Sequence, residues 1–366
     1  MSYSSEYFDY DTKNKSFIDM YEFLKKRGIE NNDFFLKLYD QKLVDVDPFD
    51  PDISEENIER IKSEISKNYW YYLREIARIP VMCERLDVGC GQYFMLHRGT
   101  LAQAWCFENN ISHYLESSRQ CYREMGVIQR YIWDFICGSD DVNSAIIDLS
   151  NSEAINNLNK LKKAILTLPK YLQPEYILNT NKIKRKNQNN IITAKSVHVR
   201  NDQEANKTET DLLVFLKNTH YVWINNFSFI RHNAIIHSAI EKYMHNLHKC
   251  HTRSIYITAI PGNIRNPYGK YAYDFIQKLS TFDEIIYDAT EEQLFKYLQR
   301  IHNNIYIKYF FFELGRDINW FDEQCILLNY NWTTIRRELL LQWEPNDSPV
   351  SHEEIYSMIK ERKENN

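Results

Sequence analysis

The amino-acid sequence predicts an α/β fold with a central, mostly parallel sheet flanked by helices. From about residue 69 onward, short apolar runs typical of strands alternate with longer stretches whose apolar residues recur at helical spacing. Of the 366 residues, 43% are hydrophobic and 26% are charged, which is typical of a globular protein and excludes wholesale disorder. The length suits one large α/β domain with additions.

Residues 1–66 are predicted to form a helical N-terminal extension. The segment 45–52 contains two prolines and interrupts the helices, because a proline disfavours helix at the residue before it. Ser54 is a candidate N-cap for the next helix, and Ile58, Ile61 and Ile65 fall on one face of that helix.

The rest of the chain supplies the elements of the predicted sheet and its helices. Residues 152–168 carry Ile and Leu at helical spacing until Pro169 and predict a helix, and residues 320–343 predict a helix or a helix pair. Residues 179–210 have no periodicity and are rich in Asn, Lys and Thr, which predicts an exposed excursion. The predicted strands are residues 111–115, 144–149, 221–224, 254–260 and 304–313.

Composition also limits the class of protein. The net charge of −5 at pH 7 excludes a generally basic nucleic-acid coat, so any DNA contact must be local. The dense basic cluster of Lys182, Lys184, Arg185 and Lys186 is the candidate for such a contact, although a solvated loop is the favoured interpretation of it. Seven cysteines without a CxxC pair predict neither a disulfide framework nor a zinc site, and no apolar run has the length of a membrane span.

The most informative stretch is residues 114–125, which follows a predicted strand and precedes a helical run. A strand, a tight loop and a helix N-terminus form the geometry in which backbone N–H groups bind phosphate. The candidates for nucleotide binding are Ser118, Arg119, Gln120, Arg123 and Glu124. Composition alone favours an ordinary helix start, because the loop contains arginines and no glycine.

Ser118-Arg119-Gln120 resembles the degenerate P-loop of tailed-phage terminase large subunits, the motors that pump DNA into capsids. Other stretches agree in the correct order along residues 68–350. Residues 68–80 and 96–102 resemble the adenine-side region and the helix after it, and residues 166–174 resemble the helix end after the P-loop. Residues 221–229 resemble the Walker B strand, residues 257–262 the coupling motif, and residues 266–284 and 313–343 the later ATPase segments.

The resemblance implies a P-loop NTPase-like fold and a domain organisation. We expect a terminase ATPase-like domain at residues 67–350, with a core at about 67–262 and a small lid subdomain at about 263–350. A charged tail at residues 351–366 follows, and the nuclease domain of the family is expected to be absent. The family also implies ATP and Mg²⁺ as ligands.

The departures from the family pattern lie at the positions of phosphate chemistry. Where the family has Gly-Lys-Thr, this chain has Tyr122, Arg123 and Glu124. A carboxylate at that place repels a phosphate by about 4 kcal/mol per charge pair at 4 Å and an effective dielectric constant near 20.

The other matched motifs are altered to different degrees. Asn225 and Asn226 match the Walker B aspartate, which supports Mg²⁺, and the glutamate, which activates water. Arg119 matches the cis-acting arginine of the family, and Thr258 matches the threonine of the coupling motif. By this resemblance, the chain keeps residues that surround the nucleotide in the family, but it lacks the catalytic acids of the family.

We therefore expect nucleotide hydrolysis to be weak or lost, and the protein to be a structural or regulatory packaging component. By resemblance its partners are portal, small terminase, duplex DNA or an intact motor subunit, in the cytoplasm of the infected host cell, with a ring oligomer left open. One alternative is an active ATPase that uses Arg119 and Arg123 on phosphate and Glu124 or Asp211 near Mg²⁺. Another is a DNA-binding or inhibitory decoy that uses residues 179–210.

Overall fold

The computed structural model describes residues 7–80, 88–121, 123–138, 141–197, 210–212, 214–216, 218–246, 254–300 and 304–364. Within these residues the strands are β1 (Tyr7–Phe8), β2 (Lys37–Leu38), β3 (Arg78–Ile79), β4 (Gln92–Tyr93), β5 (Ser112–Ser117), β6 (Asn143–Asp148), β7 (Tyr176–Asn179), β8 (Lys182–Arg185), β9 (Ile191–Ser196), β10 (Tyr221–Asn225), β11 (Ser254–Ala259), β12 (Ser280–Thr281) and β13 (Asn304–Tyr309).

The helices of the same residues surround these strands. They are α1 (Lys15–Lys26), α2 (Glu55–Ile65), α3 (Tyr69–Tyr71, continued by a π-helical turn at Tyr72–Ile76), α4 (Arg98–Glu108), α5 (Met125–Cys137), α6 (Asn151–Leu166), α7 (Asn233–Asn246), α8 (Pro267–Ile276), α9 (Glu291–Arg300), α10 (Ile318–Leu327), α11 (Trp332–Glu338) and α12 (His352–Glu364). None of the described helices is long and apolar enough to cross a lipid bilayer.

A mostly parallel sheet dominates the fold, as the sequence predicts. Among the described residues it has nine strands, in the order β12-β13-β5-β11-β10-β6-β9-β8-β7. The strands from β12 to β9 are parallel, and β8 and β7 close one edge as an antiparallel hairpin. The carboxyl ends of β5, β11, β10 and β6 therefore meet at one edge, the place where open parallel sheets bind ligands.

The two faces of this sheet bury separate apolar clusters. Along β10, Val222 and Ile224 belong to one cluster, whereas Trp223 between them belongs to the other. Successive side chains of a strand point to opposite faces, so a continuous apolar run is what a strand covered on both faces requires. The described structure thus explains why the predicted strands read as short apolar runs.

The predicted elements are confirmed in position. Each of the five predicted strands overlaps an observed strand, namely β5, β6, β10, β11 and β13. The helix predicted at 152–168 is α6, and residues 320–343 form the pair α10 and α11. Ser54 caps α2, because its Oγ accepts a hydrogen bond of 3.2 Å from the Asn57 N–H.

The prediction that residues 179–210 form an exposed excursion is wrong for residues 182–196. Strands β8 and β9 lie there, and β9 pairs in parallel with β6, so the stretch extends the central sheet. Ile183 and Ile192 are buried in the core. Ile183 is the one apolar residue of β8, so the alternation that marks a half-buried strand is too short to recognise from the sequence. Residues 198–209 lie outside the described residues.

The segments predicted around the core also contribute to it. Phe17 of α1 and Ile61 of α2 are fully buried in the same apolar cluster as Ile305 of β13. The tail, predicted only as charged, contains α12, whose Ile355 is buried in that cluster. Strand β13 lies in the expected lid segment but pairs with β5 in the central sheet, so a separate lid remains a prediction.

Two isoleucines of the β7–β8 hairpin test whether this edge is part of the folded core. Ile183→Ala removes a fully buried side chain and should lower the free energy of unfolding by about 2–4 kcal/mol, because it leaves a cavity. Ile177→Ala in the paired strand, where the side chain is 51% exposed, should change it by less than about 0.5 kcal/mol. Urea unfolding followed by circular dichroism measures both. Equal small effects would contradict the position of β8 in the core.

Candidate functional site at the carboxyl edge of the sheet

The loop after β5 is anchored to the end of α11. The Ser118 hydroxyl is buried, donates to the Leu339 carbonyl at 2.6 Å and accepts from the Phe311 N–H at 3.0 Å. The Arg119 N–H donates to the Glu338 carbonyl at 2.8 Å, and its guanidinium contacts the Glu338 carboxylate at 2.9 Å. Two of the predicted nucleotide-binding residues are therefore engaged by the protein itself.

The loop turns sharply without a glycine. Gln120 has a φ of +57°, in the left-handed region that residues other than glycine seldom adopt. Tyr122, at the position matched with the family glycine, lies outside the described residues. Gln120 and Arg123 both line the cleft above the sheet edge, as does Glu124.

Glu124 forms the centre of a charge network in this cleft. Its carboxylate contacts the Lys160 ammonium, accepts from Asn225 Nδ2 at 3.2 Å and lies 3.9 Å from the Arg123 guanidinium. Burial tends to raise the pKa of Glu124, but the charges of Arg123 and Lys160 and the hydrogen bonds from Lys160 and Asn225 outweigh it and lower the pKa. Glu124 is therefore ionised at neutral pH.

The structure brings Asn225 and Thr258 together with Glu124. Thr258 Oγ1 accepts from Trp223 Nε1 at 2.7 Å and donates to Asn225 Oδ1 at 2.8 Å. Asn225 then has its Nδ2 free to donate to the Glu124 carboxylate. The buried amide is thus oriented by a chain of hydrogen bonds that runs from Thr258 on β11 to Glu124, at the end of the loop after β5.

Asp148, at the carboxyl end of β6, is the residue that sequence reasoning missed. It is fully buried and accepts four hydrogen bonds, from the Leu149 N–H at 2.6 Å and from the amide groups of Asn157 at 2.8 Å, Asn225 at 2.9 Å and Asn226 at 3.0 Å. Burial raises its pKa, and the amide donors oppose that rise. A carboxylate has about four lone-pair sites, so none remains for a metal ion.

Asn226 has a second reason to be an asparagine. Its φ of +56° and ψ of 33° place it in the left-handed region, which asparagine adopts more readily than most side chains. Its backbone N–H donates to the Thr258 carbonyl at 2.8 Å, which ties the turn after β10 to β11. The two Walker B-matching asparagines therefore lie side by side on the Asp148 carboxylate.

A cleft of about 700 Å³ opens above these residues. Each of its cations contacts a carboxylate of the chain: Arg119 contacts Glu338, and Arg123 and Lys160 contact Glu124. Its lining also includes Ile79, Leu149, Glu153, Phe229 and Ile260.

Most groups that would meet a nucleoside triphosphate in this cleft are engaged by the chain itself. Arg119 pairs with Glu338, Lys160 pairs with Glu124, and the Ser118 hydroxyl is already engaged by the protein. Arg123 lies 3.9 Å from Glu124, and its buried Nε has no hydrogen-bond partner among the described residues. Among the described residues no group of three or more His, Cys, Asp or Glu could hold a metal ion, whereas a nucleotide-bound Mg²⁺ needs only one or two carboxylates besides the phosphates.

The predicted DNA-contact cluster lies on β8 and at its end. Arg185 donates from Nη1 to the Phe135 and Ile136 carbonyls at 3.1 Å each, and so caps the end of α5. Lys186 pairs with Glu175 at 3.1 Å, and Lys182 and Lys184 are half-buried. Two of the four residues are thus used by the fold, and DNA contact by this cluster remains a prediction.

No protein-family model and no curated protein match the chain. Several solved structures match the chain. The structure resembles the ATPase domains of phage large terminases. The large terminase of the thermophilic bacteriophage D6E is 10% identical over 68% of this chain and 53% of that chain, with a TM-score of 0.47.

Two further terminases give similar values. The Thermus phage P74-26 large terminase ATPase domain is 11% identical over 69% of this chain and 95% of that chain, with a TM-score of 0.45. The HK97 bacteriophage large terminase is 12% identical over 72% of this chain and 54% of that chain, with a TM-score of 0.43. This chain spans about half the length of the D6E and HK97 proteins. The D6E terminase has been solved with ADP and with ATP-gamma-S.

The lowered pKa of Glu124 predicts how its contribution depends on pH. Glu124→Gln should lower the free energy of unfolding at pH 7 by about 1–3 kcal/mol, because Lys160 and Arg123 lose their buried partner. The stabilisation by the native carboxylate is present above the ordinary glutamate pKa near 4.3 and is lost as pH falls through the lower folded-state value. Urea unfolding between pH 7 and pH 3.5 should therefore show the difference between native and variant shrinking below about pH 4.3.

Glu153→Gln is the matched control, since Glu153 is exposed on the rim of the same cleft. It should change the free energy of unfolding by less than about 0.5 kcal/mol at each pH. A Glu124→Gln effect that stays constant from pH 7 to pH 3.5 would show that the Glu124 charge does not stabilise the site.

Proposed function

We propose that this chain is a component of a phage DNA-packaging motor, related to the ATPase domain of terminase large subunits, and that it works without hydrolysing nucleotide. The ordered motifs along residues 68–350 support the relation, as does the position of the loop 118–124 beside the ends of β11 and β10. The observation that supports the loss of hydrolysis is the position of the Glu124 carboxylate. It lies in the cleft and accepts hydrogen bonds from Lys160 and Asn225.

The argument against nucleotide binding is electrostatic. Phosphates that enter the cleft meet the charge of Glu124, at a cost of about 4 kcal/mol per charge pair at 4 Å and an effective dielectric constant near 20. They also compete with that carboxylate for Lys160 and Arg123. Since about 1.4 kcal/mol corresponds to a tenfold change in affinity, one such repulsion lowers the affinity for nucleotide by about several hundredfold to a thousandfold.

The argument against hydrolysis concerns the proton acceptor. The amide of Asn226 cannot take a proton from water, and loss of a general base lowers a rate by about 10²–10⁴. The neighbouring carboxylate, Asp148, is buried and holds four donors, so it is unsuited to replace the missing base. In the alternative of an active enzyme, Glu124 is the better substitute acid, because Asp211 is exposed and does not line the cleft.

A structural or regulatory role requires contact with other packaging components. The partners that fit the family are portal, small terminase, duplex DNA and an intact motor subunit, in the cytoplasm of the infected host cell. Binding to such a partner should not depend on ATP. Pull-down with a purified portal protein and a purified small terminase, with and without ATP, measures that independence.

The decisive measurement is ATP binding and hydrolysis by the native chain, with and without Mg²⁺ and duplex DNA. We expect no turnover and no saturable binding by calorimetry below millimolar ATP. Glu124→Gln should then gain at least about tenfold in affinity for ATP, because it removes the repulsion and leaves Lys160 and Arg123 to the phosphates. Glu153→Gln makes the same change of charge at the rim and should gain less than about threefold.

A restored variant tests whether the site is in the right place. It carries Tyr122→Gly, Arg123→Lys, Glu124→Thr, Asn225→Asp and Asn226→Glu, together with Asp148→Asn, because Asp148 would otherwise repel both new acids. A restored chain that melts like the native one and binds ATP with Mg²⁺ supports a lost nucleotide site. Hydrolysis by the native chain that Glu124→Gln abolishes would overturn the proposal.

A further inference from the structure

A second cleft, here called the Arg337 pocket, lies beside the sheet edge and shares no lining residue with the cleft of Glu124. Its walls are the loop 262–265 after β11, Thr333 and Arg337 of α11, and the segment 343–346, and its volume is about 420 Å³. Nothing in the proposed function assigns a role to it.

The loop 262–265 is held in place by close packing. A Cβ on Gly262 would lie 2.7 Å from the Ser228 carbonyl oxygen, so the loop contacts the turn after β10 directly. Asn263 accepts from the Arg265 N–H at 2.9 Å through its side chain, and its carbonyl accepts from the Asn266 N–H at 3.0 Å. This wall of the pocket is therefore built before any ligand binds.

Two buried donors in the lining have no hydrogen-bond partner among the described residues. They are Nε of Arg337 and Nε1 of Trp343. The indole of Trp343 is only 8% exposed and packs edge-on against Tyr273, with ring centroids 5.5 Å apart. A buried donor without a partner costs about 1–3 kcal/mol, so this pair indicates an acceptor that the protein does not supply.

The charge of the lining specifies the acceptor. Arg265 and Arg337 are opposed by a single acid, Glu344, in a chain whose net charge is −5. Arg337 has a distant contact of 4.0 Å with Glu338, and that carboxylate is held at 2.9 Å by Arg119. A guanidinium offers a planar fork of donors that matches the oxygens of phosphate.

We infer that the Arg337 pocket binds a phosphate group through Arg265, Arg337 and the indole N–H of Trp343. The phosphate belongs either to a duplex DNA backbone or to a small free phosphate compound, since both present the same oxygens. The inference does not depend on the proposed loss of nucleotide hydrolysis, because no residue of the Glu124 cleft takes part.

The experiment measures binding of a fluorescein-labelled 20-base-pair duplex by anisotropy and of pyrophosphate by calorimetry. Arg265→Gln and Arg337→Gln should each weaken DNA binding by about tenfold and reduce the slope of log affinity against log salt concentration by about one. Trp343→Phe keeps the ring but removes the N–H, and should weaken binding by about threefold to tenfold.

Lys170→Gln is the control, since it makes the same change of charge at an exposed residue that lines neither cleft and lies outside the predicted basic cluster. It should leave binding within about twofold of native. Weakening of DNA alone by the pocket variants supports a backbone phosphate, and weakening of pyrophosphate alone supports a free phosphate compound. The inference is overturned if all three pocket variants bind as tightly as the native chain. It is also overturned if the native chain binds neither probe.

Two measurements keep folding defects and the proposed function separate from this result. Each variant must melt within a few degrees of the native chain before its affinity is compared. Glu124→Gln should leave duplex and pyrophosphate binding at the Arg337 pocket unchanged, with any new pyrophosphate site appearing as a second event that Arg337→Gln does not remove. Loss of both events in Arg337→Gln would assign the binding to the Glu124 cleft and overturn the pocket.

Discussion

A buried carboxylate with four hydrogen-bond donors, Asp148, holds together the sheet edge on which the candidate site is built. Three of its donors come from asparagines on β10, on the turn that follows it, and on α6. An aspartate at 225 or a glutamate at 226 would put like charges in contact in the protein interior, where repulsion is strong. The amides at these positions thus follow from the acid on β6, and the ends of β6 and β10 must be understood as one unit.

The hydrogen bonds around Asp148 also reach the loop after β5. Glu124 joins this network because its carboxylate accepts a hydrogen bond from Asn225. The same carboxylate contacts the cations of Lys160 and Arg123. Glu124 therefore has partners within the chain. In a phosphate-binding loop the cations face the ligand, whereas here Lys160 contacts a carboxylate of the chain, and this contact is the basis of the proposed structural role.

The end of α11 links this site to the Arg337 pocket. Glu338 holds Arg119 of the loop, while the adjacent Arg337 lines the pocket and Leu339 accepts from Ser118. Two neighbouring residues of one short helix thus serve two separate clefts. The chain places the Glu124 carboxylate in the first cleft, whereas the second contains two buried donors, of Arg337 and Trp343, that have no partner among the described residues.

The sequence by itself determined the apolar strands, a helix at about residues 152–168, the Ser54 cap and the grouping of Ser118, Glu124, Asn225 and Thr258, because these follow from local periodicity and from ordered motifs. Only the tertiary structure decided the importance of Asp148 and the strand character of residues 182–196. Strand order is non-local: an aspartate at the end of β6 becomes a partner of Asn225 only because β6 pairs with β10. The Lys160 contact and the unpaired donors of Arg337 and Trp343 likewise depend on burial, which residue spacing does not reveal.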